Sequence, residues 1–366
     1  MDMNICFFMD GFDGGGIGRV TSIIANELQK NPAYQIFALC YAGNPEKDIY
    51  PLDKAIKEEY IYPTRQSMTK TVLKGHLISK VDAFVKENQI DLIIACGAQF
   101  YPVAVIVAKK NHRKVWCWEH TDPRNKRDYR FQDESRVFGA RLSDLNIVLT
   151  KSAWKVYHER FPKKRSIQIY NPIDPALLLD EKPYQASSKK IISVGRLRPP
   201  KNFDRLLDVA RVVMDRHPDW TWDIWGEGEL RASLEAKIDR LNLRENVFLR
   251  GHTSRIYELY PEYSMIVMTS DYEGFPMTLL EGAAKGLPMI SFDIPTGPSE
   301  IIRDGDNGYL IPDGELGEMA DRIDQLINDA EKRQNMAEES RHTAELFRVE
   351  HIVKQWMSLF DEAETE

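Results

Sequence analysis

Residues 271–288 read Asp-Tyr-Glu-Gly-Phe-Pro-Met-Thr-Leu-Leu-Glu-Gly-Ala-Ala-Lys-Gly-Leu-Pro, and they decide the fold. The apolar run Met265–Thr269, directly before them, predicts a buried strand. The spacing of apolar residues then predicts a helix from about Met277 to Lys285, since Gly286 and Pro288 stop a helix there. A strand, a short turn and a helix in this order form one repeat of an α/β sheet.

Outward from this stretch, short apolar runs alternate with helical patterns along the whole chain. Predicted strands in the first half are Asn4–Met9, Gln35–Tyr41, Asp91–Cys96, Lys114–Trp118 and Leu145–Leu149. Predicted strands in the second half are Lys190–Gly195, Trp220–Trp225, Val247–Leu249, Met265–Thr269, Met289–Phe292 and the short run Tyr309–Ile311. This alternation is typical of parallel sheets that helices cover on both faces.

A chain of 366 residues is longer than one hydrophobic core usually supports, so its length predicts two domains. The alternation pauses at Asn171-Pro172-Ile173-Asp174-Pro175, which is typical of a connector. We therefore predict one α/β domain over residues 1–172 and a second over residues 173–350. Residues 351–366 are predicted to form a C-terminal helix that packs back toward the first domain.

The bulk composition narrows the class of protein. Hydrophobic residues make up 43% and charged residues 29%, as in ordinary soluble globular proteins. The net charge of −7 gives no global sign of nucleic-acid binding. The four cysteines lie in apolar stretches without paired spacing, which predicts buried thiols in a reducing compartment. Since the N-terminus lacks the basic start of a signal peptide, we predict a cytoplasmic protein.

Two carboxylates flank the predicted helix start in the deciding stretch. Glu273 lies in the loop before the helix, and Glu281 lies one turn inside it. Gly274 and Pro276 make the turn between them. The backbone N–H groups from about Phe275 through Met277 to Thr278 lie at the helix N-terminus, where they can hold a phosphate. A sugar–ribose diphosphate would offer hydroxyl groups to both carboxylates. The alternative is a helix-start acid favoured by the helix dipole, plus an unrelated surface acid.

Two cations follow the first predicted strand of the second domain. The strand should end at Gly195, and Arg196 and Lys201 then bracket a loop before a helix that begins near Asn202. In an open α/β sheet the ligand crevice lies at the carboxyl ends of the strands. Two fixed cations suit a diphosphate leaving group, because negative charge grows there as the bond to the sugar breaks. The alternative is a pair of solvated basic residues.

A glycine-rich turn follows the first strand. Residues 14–18 read Gly14-Gly15-Gly16-Ile17-Gly18, and a helical pattern over Val20–Lys30 comes next. Such a turn can hold phosphate, but it also permits tight packing of helix on sheet. The spacing does not match the dinucleotide-binding pattern, in which an acidic residue follows about 20 positions on. Both interpretations of this turn stay open.

Together these segments resemble glycosyltransferase family 4, of the GT-B fold, over nearly the whole chain. The resemblance is carried by Gly15-Gly16 with Arg19, Val194-Gly195-Arg196 with Lys201, Gly226-Glu227-Gly228, Glu273 with Glu281, and Gly297-Pro298-Ser299-Glu300-Ile301-Ile302 with Asp304-Gly305. It implies two facing Rossmann-like α/β domains with parallel sheets and a cleft between them. It also implies a retaining transfer of a hexose or N-acetylhexosamine from a nucleotide diphosphate sugar, for which we expect UDP.

The resemblance further implies an α-linked product on a glycan or lipid-linked saccharide acceptor, in surface polysaccharide or glycoconjugate biosynthesis. It assigns the hydroxyl groups of the transferred sugar to Glu273 and the ribose to Glu281. Arg196 and Lys201 would hold the diphosphate. The base pocket would be lined near Gly226, Glu227 and Gly228 and by Gly251, His252 and Thr253.

His120, in Trp118-Glu119-His120-Thr121, matches a first-domain histidine at the reaction centre of such enzymes. The alternative for a lone histidine after an apolar strand is a structural role. The resemblance does not decide whether Gly15 and Gly16 bind phosphate or the acceptor. Since three glycines are consecutive at 14–16, the match to the family pattern can also shift by one position. Glu227 itself is interpreted as a turn or helix-start residue.

Two other functions are compatible with the same fold. A nucleotide-sugar epimerase would need its own acid and base, and the sequence offers no second titratable cluster besides His120. A catalytically silent nucleotide-sugar-binding subunit would not need the set of Arg196, Lys201, Glu273, Glu281 and His120 that is present. Incubation with donor alone separates an epimerase from a transferase.

We predict no metal and no other cofactor besides the donor substrate. Asp304-Gly305-Asp306 could be taken for a metal-binding pair, but its neighbours are typical of a tight polar turn. Asp271 with Glu273 is a second such pair, yet Glu273 already has a sugar-binding role. Arg196, Lys201 and the helix start near Met277 supply the positive charge that a diphosphate needs.

Two basic stretches are compatible with peripheral contact with an anionic membrane, at the inner face of the cell membrane. They are residues 65–80, with Arg65, Lys70, Lys74 and Lys80, and residues 113–130, with Arg113, Lys114, Arg124, Lys126, Arg127 and Arg130. The alternative is two ordinary solvated faces, since the chain as a whole is acidic.

Overall fold

The structure is a computed structural model, and it describes residues 3–64, 75–125, 131–179 and 183–365. The chain divides into two compact units, each with its own parallel sheet. Unit 1 consists of Met1–Pro172 and Val349–Glu366, and unit 2 consists of Ile173–Arg348.

Unit 1 is built on a seven-stranded sheet. Its elements are β1 (Met3–Met9), α1 (Gly15–Gln29), β2 (Tyr34–Ala42), β3 (Lys57–Tyr62), α2 (His76–Glu87), β4 (Leu92–Cys96), α3 (Tyr101–Lys110), β5 (Lys114–Glu119), α4 (Gln132–Leu142), β6 (Leu145–Val148), α5 (Lys151–Arg160) and β7 (Ser166–Gln168). The strand order is β3-β2-β1-β4-β5-β6-β7, and every pairing is parallel.

The central strands of unit 1 are hydrophobic because helices cover both faces of the sheet. All five residues of β4 are buried, and β1 pairs with it in the register Ile5↔Leu92. The five strands predicted in this half are confirmed, with ends that move by one residue. The edge strands β3 and β7 were not predicted. β3 begins with the exposed, charged sequence Lys-Glu-Glu, and β7 has only three residues.

Unit 2 is built on a six-stranded sheet. Its elements are β8 (Lys190–Val194), α6 (Phe203–Arg216), β9 (Thr221–Trp225), α7 (Arg231–Arg240), β10 (Val247–Gly251), α8 (Ile256–Leu259), β11 (Met265–Met268), α9 (Met277–Ala284), β12 (Met289–Asp293), α10 (Pro298–Ile301), β13 (Gly308–Pro312), α11 (Leu316–Asn328) and α12 (Ala330–Glu345). The predicted strands and the predicted helix at 277–285 are confirmed here.

The order of this second sheet is β10-β9-β8-β11-β12-β13, again with parallel pairings throughout. The chain therefore runs outward from β8 in one direction and restarts at β11 in the other. The carboxyl ends of β8 and β11 form a topological switch point, where open α/β sheets bind their ligands. Arg196 and Lys201 follow β8, and Glu273 follows β11.

The last helix, α13 (Val349–Thr365), belongs to unit 1 although it follows unit 2 in the sequence. Trp356 on this helix is fully buried. Its ring lies 4.9 Å from that of Trp118 and 6.3 Å from that of Phe7. Phe360 stacks on Trp116 at 5.2 Å. Aromatic side chains of α13 thus complete the core beside β1 and β5.

All four cysteines are unpaired and buried, as the sequence predicts. Over the residues that the structure describes, no helix combines the length and the apolar character that crossing a bilayer would need.

Candidate active site

Two loops meet at the switch point of unit 2. The first, Pro199–Lys201, is a short 3-10 turn, and Asn202 (φ 45°) is the N-cap of α6. Its amide donates to the carboxylate of Asp271 at 2.7 Å. The hydroxyl of Thr269 donates to the carbonyl oxygens of Lys201 and Asn202 at 3.2 and 3.1 Å. The loops after β8 and β11 therefore hold each other in place by hydrogen bonds.

Lys201 and Glu273 form an ion pair across these loops. The Nζ of Lys201 lies 2.5 Å from Oε1 of Glu273, and the hydroxyl of Ser270 donates to the same oxygen at 2.7 Å. The hydroxyl of Thr296 donates to the backbone carbonyl of Glu273. The Glu273 side chain is only 12% exposed. The structure thus pairs Lys201, which the sequence assigns to the diphosphate, with Glu273, which it assigns to the sugar.

Arg196 differs from Lys201 in its surroundings. It is exposed, and within the described ranges no carboxylate forms an ion pair with it. The charge of Lys201 is compensated by Glu273, whereas that of Arg196 has no such partner among the described residues. The two cations that the sequence treats alike are therefore in different electrostatic environments.

Glu281 lies inside α9 and is 3% exposed. Its Oε2 accepts a hydrogen bond of 2.8 Å from the hydroxyl of Tyr260, which is itself fully buried. A buried carboxylate needs such partners. The N-cap of α9 is Pro276, whose side chain cannot accept a hydrogen bond from the first turn. The start of α9 therefore suits an anion.

The glycine at 297 explains how the next loop approaches this site. Gly297 has φ 103°, and a Cβ atom there would lie 2.6 Å from Cδ of Pro276 and 3.4 Å from Cβ of Glu273. Only glycine permits this approach without displacement. The predicted segment from Gly297 is thus packed directly against the Glu273–Pro276 loop.

The predicted base pocket begins where β8, β9 and β10 end. Gly226 donates to the carbonyl oxygen of Gly251 at 2.9 Å. A Cβ atom on Gly226 (φ 143°) would lie 1.9 Å from the carbonyl oxygen of Gly195, so a larger residue cannot stand there. His252 is exposed, and the hydroxyl of Thr253 accepts a hydrogen bond of 3.0 Å from the backbone of Arg255. These residues line one edge of the sheet.

Glu227 and its neighbour Gly228 lie in the turn between β9 and α7. The Glu227 carboxylate pairs with the guanidinium of Arg231 at 2.7 Å. This guanidinium holds the pKa of Glu227 below its usual value. The position agrees with a residue that begins a helix.

The glycine-rich turn of unit 1 differs from its prediction. α1 begins at Gly15, five residues before the predicted start at Val20, so Gly15 and Gly16 lie in the first helical turn. A Cβ atom on Gly18 would lie 3.0 Å from the carbonyl oxygen of Gly11, which is the close packing that one interpretation required. A Cβ atom on Gly16 would meet none of the described atoms within 4 Å. Packing therefore explains Gly18 but not Gly16.

His120 follows β5 directly and is 9% exposed. Its ring centroid lies 4.2 Å from that of Trp118. Nε2 is buried without a hydrogen-bond partner among the described residues. Burial lowers the pKa of His120 to about 3, so the imidazole is neutral at physiological pH. A neutral imidazole can donate or accept a hydrogen bond, but it supplies no charge.

Two residues near these groups were missed from the sequence. Tyr260 holds Glu281, and Arg136 pairs with Glu119, next to His120. Arg136 is fully buried in α4, although arginine is rarely buried. Neither residue stands in a motif. Arg136 follows the polar run Gln132–Ser135, so the sequence gives no sign that it is buried.

The two basic stretches are only partly within the described residues. Residues 65–74 and 126–130 lie outside them. Of the rest, Lys80 donates to the carbonyl oxygen of Ile61 at 3.0 Å. Arg113 lies at the amino end of β5 and Arg124 beyond its carboxyl end, so a six-residue strand separates them. Of this stretch, the described residues Arg113 and Arg124 therefore lie at opposite ends of β5.

Asp304-Gly305-Asp306 forms the tight turn that the sequence predicts. Gly305 has φ 84°, and Asp304 accepts a hydrogen bond of 3.0 Å from the backbone of Leu310 in β13. The backbone of Asp306 donates to the carbonyl oxygen of Arg303 at 3.0 Å. These bonds give the first carboxylate a structural partner.

Two units, each built on a parallel sheet with helices on both faces, define a protein of the GT-B class. Two family models match this chain: Glycosyltransferase Family 4 over residues 14–177 and Glycosyl transferases group 1 over residues 179–343. The chain therefore belongs to glycosyltransferase family 4 and is a glycosyltransferase. This relation favours sugar transfer over the epimerase-like and silent-subunit interpretations.

Known relatives cover most of the chain at low identity. The amylovoran biosynthesis glycosyltransferase AmsD of Erwinia amylovora is 27% identical, with 98% of this chain and 99% of its own length aligned. The poly(ribitol-phosphate) alpha-N-acetylglucosaminyltransferase of Staphylococcus aureus is also 27% identical, over 77% of this chain but 57% of its own length.

Among solved structures, S. aureus TarM in complex with Fondaparinux, alpha-GlcNAc-glycerol and UDP is similar, with a TM-score of 0.81. The match covers 98% of this chain and 100% of that one at 18% identity. At this identity the likeness shows the GT-B fold.

The lowered pKa of His120 predicts a specific loss of stability in acid. The pKa is about 3 when folded and 6.5 in an unperturbed histidine, so between these values only the unfolded state binds the proton. The free energy of unfolding therefore falls as pH falls below about 6.5, by up to about 1.4 kcal/mol per pH unit. Between pH 7.5 and 5.0, the stability of the wild type relative to His120→Asn should fall by about 2 kcal/mol in denaturant titrations.

The matched control is His342→Asn, because the His342 side chain is 72% exposed. This substitution should produce no comparable change between the two pH values. Equal pH dependence in the wild type and His120→Asn would contradict a neutral, buried imidazole.

Proposed function

We propose that this chain is a retaining glycosyltransferase that moves a hexose or N-acetylhexosamine from a UDP-sugar to a glycan or lipid-linked saccharide. The observation that carries the proposal is the ion pair of Lys201 and Glu273 at the switch point of unit 2. It lies beside the loop that leads to the start of α9, and Glu281 follows one turn inside that helix. One short region thus offers groups for phosphate, sugar and ribose.

UDP as the donor nucleotide is supported by TarM, which was solved with UDP. An α-linked product in surface polysaccharide or glycoconjugate biosynthesis is supported by the names of the two relatives, one an alpha-N-acetylglucosaminyltransferase and the other a polysaccharide enzyme.

In the proposed complex, donor binding changes the partners of the two charged groups in the ion pair. The diphosphate carries negative charge that competes with Glu273 for the ammonium of Lys201, and Arg196 and the start of α9 add further attraction. Once Lys201 bonds to phosphate, the Glu273 carboxylate is free to accept hydrogen bonds from sugar hydroxyl groups. Glu281 accepts from the ribose while Tyr260 fixes its orientation.

The transfer step retains the configuration of the anomeric carbon. The bond from that carbon to the diphosphate oxygen breaks, and the acceptor oxygen attacks from the same face. The acceptor proton passes to the departing phosphate oxygen. Lys201 and Arg196 stabilise the negative charge that grows on the diphosphate, and His120 acts as a neutral hydrogen-bonding group at the reacting centre. No metal ion takes part, because these groups supply the charge.

Kinetics should separate the two kinds of residue. Glu281→Ala and Lys201→Ala should mainly raise the KM for the donor, by about 10- to 100-fold, since each removes a hydrogen bond to or from a charged group. Lys201→Ala should also lower kcat, because Lys201 stabilises charge that grows as the bond breaks. His120→Ala should lower kcat by about 100- to 1,000-fold with little change in KM, as expected for a contact made in the transition state. Steady-state rates with a radiolabelled donor measure both constants.

Lys190→Ala is the matched control for Lys201→Ala. Lys190 begins β8 at the opposite end of the strand and pairs with Glu262 at 3.3 Å, so its loss should change neither constant. An increase in KM alone for His120→Ala would show that its assigned role is wrong.

Stereochemistry and metal dependence can be measured in one reaction run in excess EDTA. We expect an α-linked product, seen in the anomeric coupling by NMR, at a rate that added Mg²⁺ or Mn²⁺ does not change. A β-linkage would overturn retention. Loss of transfer in EDTA that metal restores would overturn the roles given to Arg196 and Lys201.

Peripheral membrane contact is part of the proposal through the basic residues at 65–80 and 113–130. Their attraction to anionic lipid is screened over about 10 Å at 0.1 M salt. Co-sedimentation should therefore require anionic vesicles and weaken as salt is added. Equal binding to neutral vesicles would contradict a charge-based contact.

A further inference from the structure

A buried ion pair lies directly behind His120 in unit 1. Glu119, the last residue of β5, is 2% exposed, and Arg136 in α4 is fully buried. The Nε of Arg136 donates to Oε2 of Glu119 at 2.7 Å. Burial lowers the pKa of Arg136, but the charge of Glu119 raises it above its usual value, so the guanidinium stays charged.

The carboxylate of Glu119 bonds to the residue on the other side of His120. Its Oε1 accepts hydrogen bonds from both the backbone N–H and the hydroxyl of Thr121, at 3.2 and 2.7 Å. Its Oε2 also accepts from the hydroxyl of Tyr157 in α5, at 3.2 Å. The residue before His120 thus fixes the residue after it, which leaves the backbone at His120 little freedom to rotate.

The guanidinium of Arg136 holds the rest of this loop. Nη1 donates to the carbonyl oxygens of Pro123 and Asn125 at 3.2 and 3.1 Å. Nη2 donates to the hydroxyl of Thr121 at 3.2 Å. One buried side chain therefore fixes the chain at three points between residues 121 and 125.

This arrangement does more than stabilise the fold. A buried ion pair contributes little net stability, because the loss of hydration offsets the attraction between the charges. What it does supply is a single geometry, since all its hydrogen bonds must form together. His120 needs such support, because its own Nε2 has no partner in the described residues and its ring contacts Trp118 only by packing.

We propose that Arg136 and Glu119 are positioning residues that fix the imidazole of His120 for sugar transfer. The inference rests on the proposed function for the importance of His120. The position of the imidazole itself can be measured without any substrate, so the two proposals can fail separately.

Arg136→Lys is the most informative variant. Lysine keeps a positive charge near Glu119, but it cannot donate to Thr121, Pro123 and Asn125 at once. We expect kcat to fall by about 10- to 100-fold while the donor KM stays within about twofold, because a small displacement of a reacting group has a large effect on turnover. Thr121→Val, which removes only the bridging hydroxyl, gives the same comparison if Arg136→Lys fails to fold.

Arg160→Lys is the matched control. Arg160 in α5 pairs with Asp133 in α4 through two hydrogen bonds of 2.7 Å, so the substitution makes the same chemical change at a neighbouring ion pair. It also tests the weaker contact of 3.6 Å between Arg136 and the same Asp133. None of these hydrogen bonds of Arg160 reaches residues 119–125. Its kcat should equal that of the wild type, whatever the change in thermal stability.

A double-mutant cycle separates positioning from a general loss of structure. If Arg136 acts through His120, then adding Arg136→Lys to His120→Ala should lower kcat no further. A further loss equal to that in the wild-type background would overturn the inference.

NMR of ring-labelled histidine provides the test without substrate. The chain has eight histidines, and the His120 signal is the one that disappears in His120→Ala. In the wild type it should not titrate between pH 5 and 8, since burial lowers its pKa to about 3. In Arg136→Lys, water should reach the ring and the signal should titrate in this range. An unchanged signal would overturn the inference, even if His120 proves unimportant for turnover.

Discussion

The carboxyl ends of parallel strands all open on one edge of a sheet, and the candidate site of unit 2 depends on this constraint. Because the strand order reverses between β8 and β11, the loops that follow these two strands meet while their helices diverge. Lys201 and Glu273 are 72 positions apart in the sequence, yet their charged groups lie 2.5 Å apart. The fold thus brings together two charged groups that are distant in the sequence, and the chemistry of this site comes from those side chains rather than from the fold itself.

The two units provide opposite electrostatic environments for chemistry. In unit 2, the ion pair of Lys201 and Glu273 is open to solvent on one side, since the Lys201 side chain is 24% exposed. Unit 1 presents a neutral imidazole at His120, beside which the charged groups of Glu119 and Arg136 are buried. The charges of unit 2 can therefore exchange partners with an ion from solution, whereas those of unit 1 are held in a closed network of hydrogen bonds.

The sequence predicted what depends on neighbours in the chain. Strand–turn–helix order located the loops of Glu273 and Lys201, because periodicity and glycine punctuation are local signals. It missed β3, whose exposed charges belong to an edge strand and hide the usual pattern. It also missed the ion pair of Lys201 with Glu273, and Arg136, because contacts between distant segments leave no local trace. The start of α1 was wrong since Gly15 and Gly16 are unusual residues for a helix.

The position of α13 in unit 1 has a consequence for how the protein is made. The whole of Ile173–Arg348 emerges from the ribosome before α13 does, so unit 2 can complete its core first although it comes second in the chain. Until Trp356 has been synthesised and has packed, one side of the aromatic core around Phe7 and Trp118 is uncovered. A nascent chain therefore carries an open apolar surface on its first domain while the whole of Ile173–Arg348 is made.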